Sequence, residues 1–408
     1  MQLPEDFITY TRQLFGEERW QRYLKAFEVD APVSVRLNPF KHAAVSPLDE
    51  YRSTDVPWCR NSFYLSERPN FTHDPLLHAG AYYVQEASSM FLDLVLQQHL
   101  RGDETRMLDL CAAPGGKSTL ARAALPEGCL LMSNEPDRRR ANILMENMQK
   151  QGHPNVIVTN SYPRDYRIDG QQFDVILADV PCSGEGMFRK DEGAIREWSL
   201  QNVMKCAELQ RSIISDIWDC LMPGGLLIYS TCTFNLHEDE ENVRWIAEEL
   251  GAEILPVEIQ EEWNICGSLL PEWHEPVYRF IPGTTRGEGL FMAVLRKDGD
   301  SVPSQDKAIK RLRVLSDGKP QGTMKGKNVI PAHAEALLTS LSKDKYPMVE
   351  LSKDDALRYL HHEAIILPAE TPRGFVIVTY GGLPLGFVKN IGNRANNLYP
   401  QEWKIKIL

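Results

Sequence analysis

The stretch Asp109-Leu110-Cys111-Ala112-Ala113-Pro114-Gly115-Gly116-Lys117-Ser118-Thr119 decides how this chain is read. It closes an apolar run at 106–111 that has the character of a strand. It then passes through two glycines into a helical stretch at 117–124. A glycine-rich turn from strand to helix is a ready site for an anion or a nucleoside, because backbone amides point at the ligand and no Cβ blocks its approach. A triphosphatase loop of pattern G-x-x-x-x-G-K-[ST] would need glycine where Cys111 stands, and Pro114 removes one amide donor from the cradle. A nucleoside cofactor on a doubly wound sheet therefore ranks above a nucleotide triphosphatase.

Outward from this loop, strand-like and helix-like runs alternate. Further strands are expected at 130–135, 155–160, 173–180, 225–231, 252–257 and 290–297, with helices at 137–151, 201–221 and 237–250. Such alternation implies an open α/β sheet, mainly parallel, whose right-handed crossovers gather the strand-to-helix loops on one edge. The last helix is acidic at its start, as the helix dipole favours. Glu135 follows Gly116 by 19 residues, a spacing that suits a carboxylate on ribose hydroxyls. Asn160 and Asp179 end the next two strands and are placed to bracket an adenine ring. No G-x-G-x-x-G is present to hold a pyrophosphate, so S-adenosylmethionine fits better than a dinucleotide.

Eight cysteines occur, and none forms a C-x-x-C pair, so no cysteine-rich zinc site and no metal are expected. Two of them stand apart. Cys182 lies in Asp179-Val180-Pro181-Cys182-Ser183-Gly184-Glu185-Gly186, and Cys232 in Tyr229-Ser230-Thr231-Cys232-Thr233-Phe234. Both follow strands on the edge proposed for the cofactor. A thiol beside a methyl donor has an obvious use: addition to carbon 6 of a pyrimidine makes carbon 5 an enamine that can attack the methyl group. The adduct must then lose its C5 proton and release the thiol, which calls for a nearby acid or base. Asp179 is suited to hydrogen-bond the ring at N3.

These motifs, DLCAAPGGK at 109–117, DVPCSGEG at 179–186 and YSTCT at 229–233, resemble the Fmu/Sun (Nop/Sun) family of RNA 5-methylcytosine methyltransferases. Within it they are most similar to the RsmF type, which acts on small-subunit ribosomal RNA. Gln85-Glu86-Ala87-Ser88-Ser89 and Arg286-Gly287-Glu288-Gly289 fit the same pattern, so the resemblance spans about 80 to 298. It implies a Rossmann-like core that binds S-adenosylmethionine against Cys111, Ala112, Ala113, Pro114, Gly115, Gly116, Lys117, Glu135, Asn160 and Asp179. Cys232 would be the nucleophile and Cys182 would assist breakdown of the adduct. Asn160 departs from the aspartate often found at its position. The tail resembles a PUA-like module around Gly386-Phe387-Val388-Lys389 and Asn396-Asn397-Leu398-Tyr399-Pro400.

Composition agrees with a soluble globular enzyme. The 408 residues are 43% hydrophobic and 25% charged, which excludes wholesale disorder and fibrous folds. No apolar run approaches the ~18 residues of a membrane span, and the first residues carry no secretory pattern, so a cytoplasmic protein is expected. Net charge is −11, but residues 301–408 carry 16 Lys and Arg against 10 Asp and Glu, a net +6 that leaves −17 on residues 1–300. A basic end module of this kind suits an RNA partner, ribosomal RNA or the small subunit. The expected organisation is an N-terminal α+β RNA-binding region at 1–80, the methyltransferase core at 81–298, a polar linker at 299–328 and a small PUA-like domain at 329–408, working as a monomer. Of the basic residues near the motifs, Arg189 and Lys190 are the preferred phosphate contacts over Arg36, Arg138, Arg139 and Arg140. The competing reading is a non-catalytic ribosome-assembly factor, against which the intact Cys182 and Cys232 argue.

Overall fold

The computed structural model describes residues 3–46, 48–100, 102, 105–326 and 328–406. Met1, Gln2 and Pro47 of the expected N-terminal region, Arg101, Asp103 and Glu104 of the expected core, Lys327 of the expected linker and Ile407 and Leu408 of the expected C-terminal domain lie outside them.

The chain starts with helix α1 (Glu5–Ala26), broken at Gly16, whose φ of 72° no helical residue adopts. Strands β1 (Ser34–Leu37), β2 (Arg52–Asp55) and β3 (Ser62–Leu65), helix α2 (Pro75–His78) and strand β4 (Tyr82–Val84) follow. Their antiparallel sheet has the order β2-β3-β1-β4, so it continues past residue 80. Helix α3 (Phe91–His99) leads into the core.

The core comprises β5 (Arg106–Asp109), α4 (Gly116–Ala124), β6 (Leu130–Asn134), α5 (Arg138–Gln151), β7 (Val156–Thr159), α6 (Pro163–Asp169), β8 (Phe173–Asp179), α7 (Glu192–Glu197), α8 (Leu200–Ile217), β9 (Leu221–Thr231), α9 (Glu240–Leu250), β10 (Ala252–Leu255), β11 (Val277–Phe280), β12 (Leu290–Lys297) and β13 (Val314–Ser316). Among the described residues nine strands form one sheet of order β10-β12-β9-β8-β5-β6-β7-β13, with β11 sharing the outer edge of β12. Strands β5 to β9 are parallel; β10 to β13 run antiparallel to their neighbours.

Alternation along the central strands explains why both faces are covered. Met107, Val175, Leu177, Leu226 and Ile228 face α3, α4 and α5. Leu108, Ile176, Ala178, Leu227 and Tyr229 pack on the opposite face with α6, α8 and α9. Side chains at successive strand positions point to opposite faces, and burying each one contributes roughly 1.5–3 kcal/mol. The chain leaves β5 toward β6 and returns on the other side to β8, so the crevice between the carboxyl ends of β5 and β8 is the topological switch point of the sheet.

The C-terminal module contains the hairpin β14 (Thr323–Lys325) and β15 (Asn328–Ile330), helix α10 (His333–Leu337), β16 (Met348–Glu350), α11 (Lys353–Leu360), β17 (Gly374–Tyr380), β18 (Leu383–Asn390) and β19 (Ala395–Asn397). Its sheet has the order β16-β17-β18-β19. β17 and β18 are joined by a tight turn at Gly381 and Gly382, both at positive φ (58° and 77°), as an apolar run–Gly-Gly–apolar run favours. This module is not a satellite. Leu351, Tyr359, Val376, Leu383 and Leu385 share one apolar core with Val35, Phe63 and Leu65 of the N-terminal sheet and Leu76 of α2. Gly152 at the end of α5 accepts a bond from Thr339 N at 2.9 Å.

The segment expected to be a free linker is anchored instead. Ser304 bonds Asp174, the amides of Lys310 and Arg311 donate to Asp169, and β13 pairs with β7. Its polar composition hid two apolar anchors, buried Leu312 and half-buried Ile309, which pack against the core. The helix expected to reach 221 ends at Ile217, and β9 starts at Leu221, earlier than the expected 225.

Candidate active site

Asp109 ends β5 and is fully buried, with its Oδ2 accepting from Ser118 Oγ at 2.6 Å. Burial pushes its carboxyl up to about 7. The loop that follows, Cys111 to Gly116, turns at Gly115, whose φ of 114° and close approach to Leu144 of α5 (3.3 Å from an added Cβ) require glycine. Carbonyl oxygens of Ala113 and Pro114 accept from Arg140 and Asn147 of α5, which fixes the outer side of the loop. Cys111, Ala112 and Ala113 are buried in its wall. No side chain among the described residues caps the N-terminus of α4, which leaves its first amides to an anion.

Glu135, just past β6, is buried. Its Oε1 accepts from Asp137 N at 3.0 Å, whereas Oε2 has no hydrogen-bond partner among the described residues, with Arg140 3.4 Å away. A buried carboxylate oxygen without a donor matches a ribose hydroxyl in chemistry. Asn160, expected at the adenine, also has a structural employment. Its Nδ2 donates to the carbonyls of Glu135 and Pro136, 2.8 Å each, so it props the Glu135 loop and keeps only Oδ1 for a ligand.

Asp179 ends β8 at the switch point. Ser230 Oγ donates to its Oδ1 at 2.7 Å, and Lys117 Nζ lies 2.9 Å from Oδ2. Burial works against the lysine's charge, but Asp179 facing it holds the ammonium above its ordinary value. Lys117 therefore joins the glycine loop to the cysteine strands.

The two cysteines converge. Cys182 Sγ and Cys232 Sγ are 2.9 Å apart and both thiols are free. Cys232 N donates to Cys182 Sγ at 3.3 Å. The adjoining Cys232 sulfur, with burial, raises the Cys182 thiol well above its ordinary range, so it keeps its proton at neutral pH.

Acidic residues that sequence reading did not single out surround this pair. Glu185 binds the Cys232 loop. Glu238 accepts from Ser183 N and Gln210 Nε2 behind Cys182, and burial raises it to about 7. Thr231 Oγ1 donates to Asp239, which with Glu240 surrounds the buried Arg279 at 2.9 and 2.7 Å. The acidic start expected for dipole reasons at 237–240 is thus mostly interior. Their signal was proximity to the cysteine motifs in sequence. Arg189, expected to meet phosphate, is half-buried, its side chain turned inward onto Glu288 at 2.5 Å, with Nη2 on Val29 O; Lys190 beside it is exposed. The motifs 85–89 and 286–289 meet each other: Glu86 Oε1 accepts from Ser88 N and Glu288 N, 3.0 Å each. α1 covers the cysteine loops from outside, with Phe7, Phe15 and Tyr23 against Phe188, Trp198 and Phe234.

Two solved structures from Pyrococcus horikoshii share the fold. A methyltransferase homolog protein matches with a TM-score of 0.62 and 27% identity over 72% of this chain and 95% of that one. NSun6 with SFG, an S-adenosylmethionine analogue, matches with a TM-score of 0.60 and 20% identity over 73% and 99%. The doubly wound sheet with its glycine loop at the switch point is that of an S-adenosylmethionine-dependent methyltransferase. Family models match residues 95–296 (16S rRNA methyltransferase RsmB/F), 3–87 (N-terminal domain of 16S rRNA methyltransferase RsmF) and 346–405 (methyltransferase RsmF PUA domain). Curated relatives named ribosomal RNA small subunit methyltransferase F are similar across nearly the whole chain. That of Enterobacter sp. (strain 638) is 28% identical over 98% of this chain and 95% of its own length; that of Cronobacter sakazakii is 29% identical over 98% and 96%. The chain belongs to the RsmB/F family of 16S rRNA methyltransferases.

Proposed function

We propose that the protein transfers a methyl group from S-adenosylmethionine to carbon 5 of a cytosine in 16S ribosomal RNA, through a covalent bond from Cys232 to carbon 6. The observation that carries this reading is the pair of thiols 2.9 Å apart beside Asp179 at the switch point. Bound S-adenosylmethionine supplies an electrophilic methyl group. Glu135 Oε2 takes a ribose hydroxyl, Asn160 Oδ1 takes the adenine amino group, and the open start of α4 takes the carboxylate. The loop from Cys111 through Ala112, Ala113, Pro114, Gly115 and Gly116 to Lys117 forms the wall behind them.

Cys232 forms the S–C6 bond, which places electron density on C5 for attack on the methyl carbon. Asp179, held by Lys117 and Ser230, accepts a hydrogen bond from N3, which takes up the proton given up by the Cys232 thiol on addition, and so steadies the adduct. After transfer a solvent water takes the C5 proton, the C5–H electron pair re-forms the C5=C6 double bond, and the S–C6 bond breaks with its pair on the Cys232 sulfur. Cys182, protonated and next to the departing sulfur, assists that release. The target base reaches the pocket unpaired or flipped from its stack. The basic C-terminal module, the PUA domain of the family model, adds RNA contacts, and the protein acts as a cytoplasmic monomer.

The test is tritium transfer from labelled S-adenosylmethionine into 16S ribosomal RNA, with the product nucleoside identified by mass spectrometry. Cys232→Ala should abolish transfer, and Cys182→Ala should accumulate a covalent protein–RNA band on a denaturing gel. Full activity in Cys232→Ala, or a product other than 5-methylcytidine, overturns the reading.

A further inference from the structure

We propose that Glu185 is a positioning residue: it clamps the Cys232 loop onto the Cys182 loop and so fixes the spacing of the two sulfurs. The proposal rests on the catalytic reading of the cysteines for its kinetic consequence, but not for its geometry.

Glu185 stands three residues after Cys182, directly after Gly184, whose φ of 79° turns the chain inward. Its side chain is 1% exposed. Oε2 accepts from Thr233 Oγ1 at 2.8 Å, Phe234 N at 2.6 Å and Asn235 N at 3.1 Å. Oε1 accepts from Trp198 Nε1 at 2.9 Å and Asn235 Nδ2 at 3.2 Å. Four of these five donors belong to Thr233, Phe234 and Asn235, the residues that follow Cys232. Strand β9 has ended at Thr231, so the amides of Phe234 and Asn235 have left the ladder and need an acceptor. No lysine, arginine or histidine among the described residues lies within ion-pair distance of Glu185; all five of its hydrogen bonds come from neutral donors. A charged acceptor with this many donors is strong and directional, so the two loops cannot slide independently. One backbone bond reinforces the clamp, from Gly186 N to Cys232 O at 2.8 Å. A side chain on Gly186 would press on that carbonyl, 3.1 Å from its Cβ, which keeps the loops in contact.

Glu185→Gln preserves shape but turns one acceptor into a donor facing donors. Either the Trp198 side or the Cys232-loop side then loses its bonds. The experiment uses the full-length protein and reads two quantities. The first is the rate at which diamide links Cys182 to Cys232, two thiols being oxidised to one disulfide as the diazene is reduced to a hydrazine. This rate reports sulfur spacing and needs no methyl transfer. The second is the division of the kinetic effect between kcat and KM. Glu185→Gln should slow cross-linking at least tenfold and lower kcat about 100-fold, the usual consequence of misplacing a reacting group by about an ångström, while both KM values stay within about twofold. Glu185→Asp, which keeps the charge, should recover part of both. Thr233→Val, which removes a single donor, should slow cross-linking less and serves if Glu185→Gln does not fold. Unchanged cross-linking in Glu185→Gln, or in Thr233→Val where that variant stands in, overturns the proposal, whatever happens to activity. Loss of the catalytic reading would appear separately, as wild-type protein that cross-links normally yet makes no 5-methylcytidine.

Discussion

At the β8–β9 end of the carboxyl edge, Ser183 N, Gly186 N, Phe234 N and Asn235 N all find protein acceptors within 3.1 Å, and Glu185, Glu238 and Asp239 supply three of them with oxygens or brace the loop behind. At the β5–β6 end, Glu135 Oε2, 3.4 Å from Arg140, and Asp109 Oδ1 are buried with no hydrogen-bond partner among the described residues, where α4 also lacks a side-chain cap. In the first half the loop amides are met mainly by the protein's own carboxylates; the second offers carboxylate oxygens whose natural complement is a ligand. Substitutions in the first half should therefore damage geometry and turnover, and those in the second affinity.

The comparison can be broken most severely at Cys232. Cys232→Ala should remove all detectable methyl transfer while leaving S-adenosylmethionine affinity, measured by calorimetry, within about twofold; a large loss of affinity would merge the two halves. Next, Arg279→Met strands Asp239 and Glu240 as buried charges behind the Cys232 loop, at an expected cost of about 3–5 kcal/mol in a urea titration. Glu135→Gln should weaken S-adenosylmethionine binding about 10- to 100-fold, as loss of a buried charged hydrogen bond does, with Cys182–Cys232 cross-linking unchanged. Away from both halves, Lys41 offers only carbonyl contacts, to Ala79 O and Lys150 O, and burial lowers it to about 7. The unfolded chain then holds one more proton than the folded one between about pH 7 and the ordinary lysine range. Stability should rise with pH across that window by up to about 1.4 kcal/mol per pH unit, and Lys41→Met should flatten the slope in thermal melts. The smallest effect belongs to exposed Lys190: its alanine variant should reduce the salt slope of RNA binding by about one, with kcat unaltered.

What the sequence made legible were the strand ends. The glycine loop, Asp179, Cys182 and Cys232 follow apolar runs whose alternation is plain, and a doubly wound sheet sends such ends to one edge. The supporting acids were illegible because a buried glutamate and a solvated one are written identically. Glu238, Asp239 and Glu240 looked like a dipole effect until Arg279, distant in sequence, was found among them. Arg279 in turn obscured β11, since a charge in the middle of Val277–Phe280 argues against a buried strand. Arg189 was misread for the same reason in reverse, its partner Glu288 lying far along the chain. The linker's anchoring was hidden because it rests on a few backbone amides and on Leu312 and Ile309, two apolar side chains scattered in a polar stretch.

The apolar core common to the N-terminal sheet and the C-terminal module has a practical meaning for dissecting this molecule. The first and last parts of the chain shelter each other from water, so neither is a detachable handle. Cutting away the C-terminal strands would lay Val35, Phe63, Leu65 and Leu76 bare and leave a sticky surface where a binding module had been, so a shortened enzyme that fails should first be suspected of clumping before it is credited with having lost its grip on RNA.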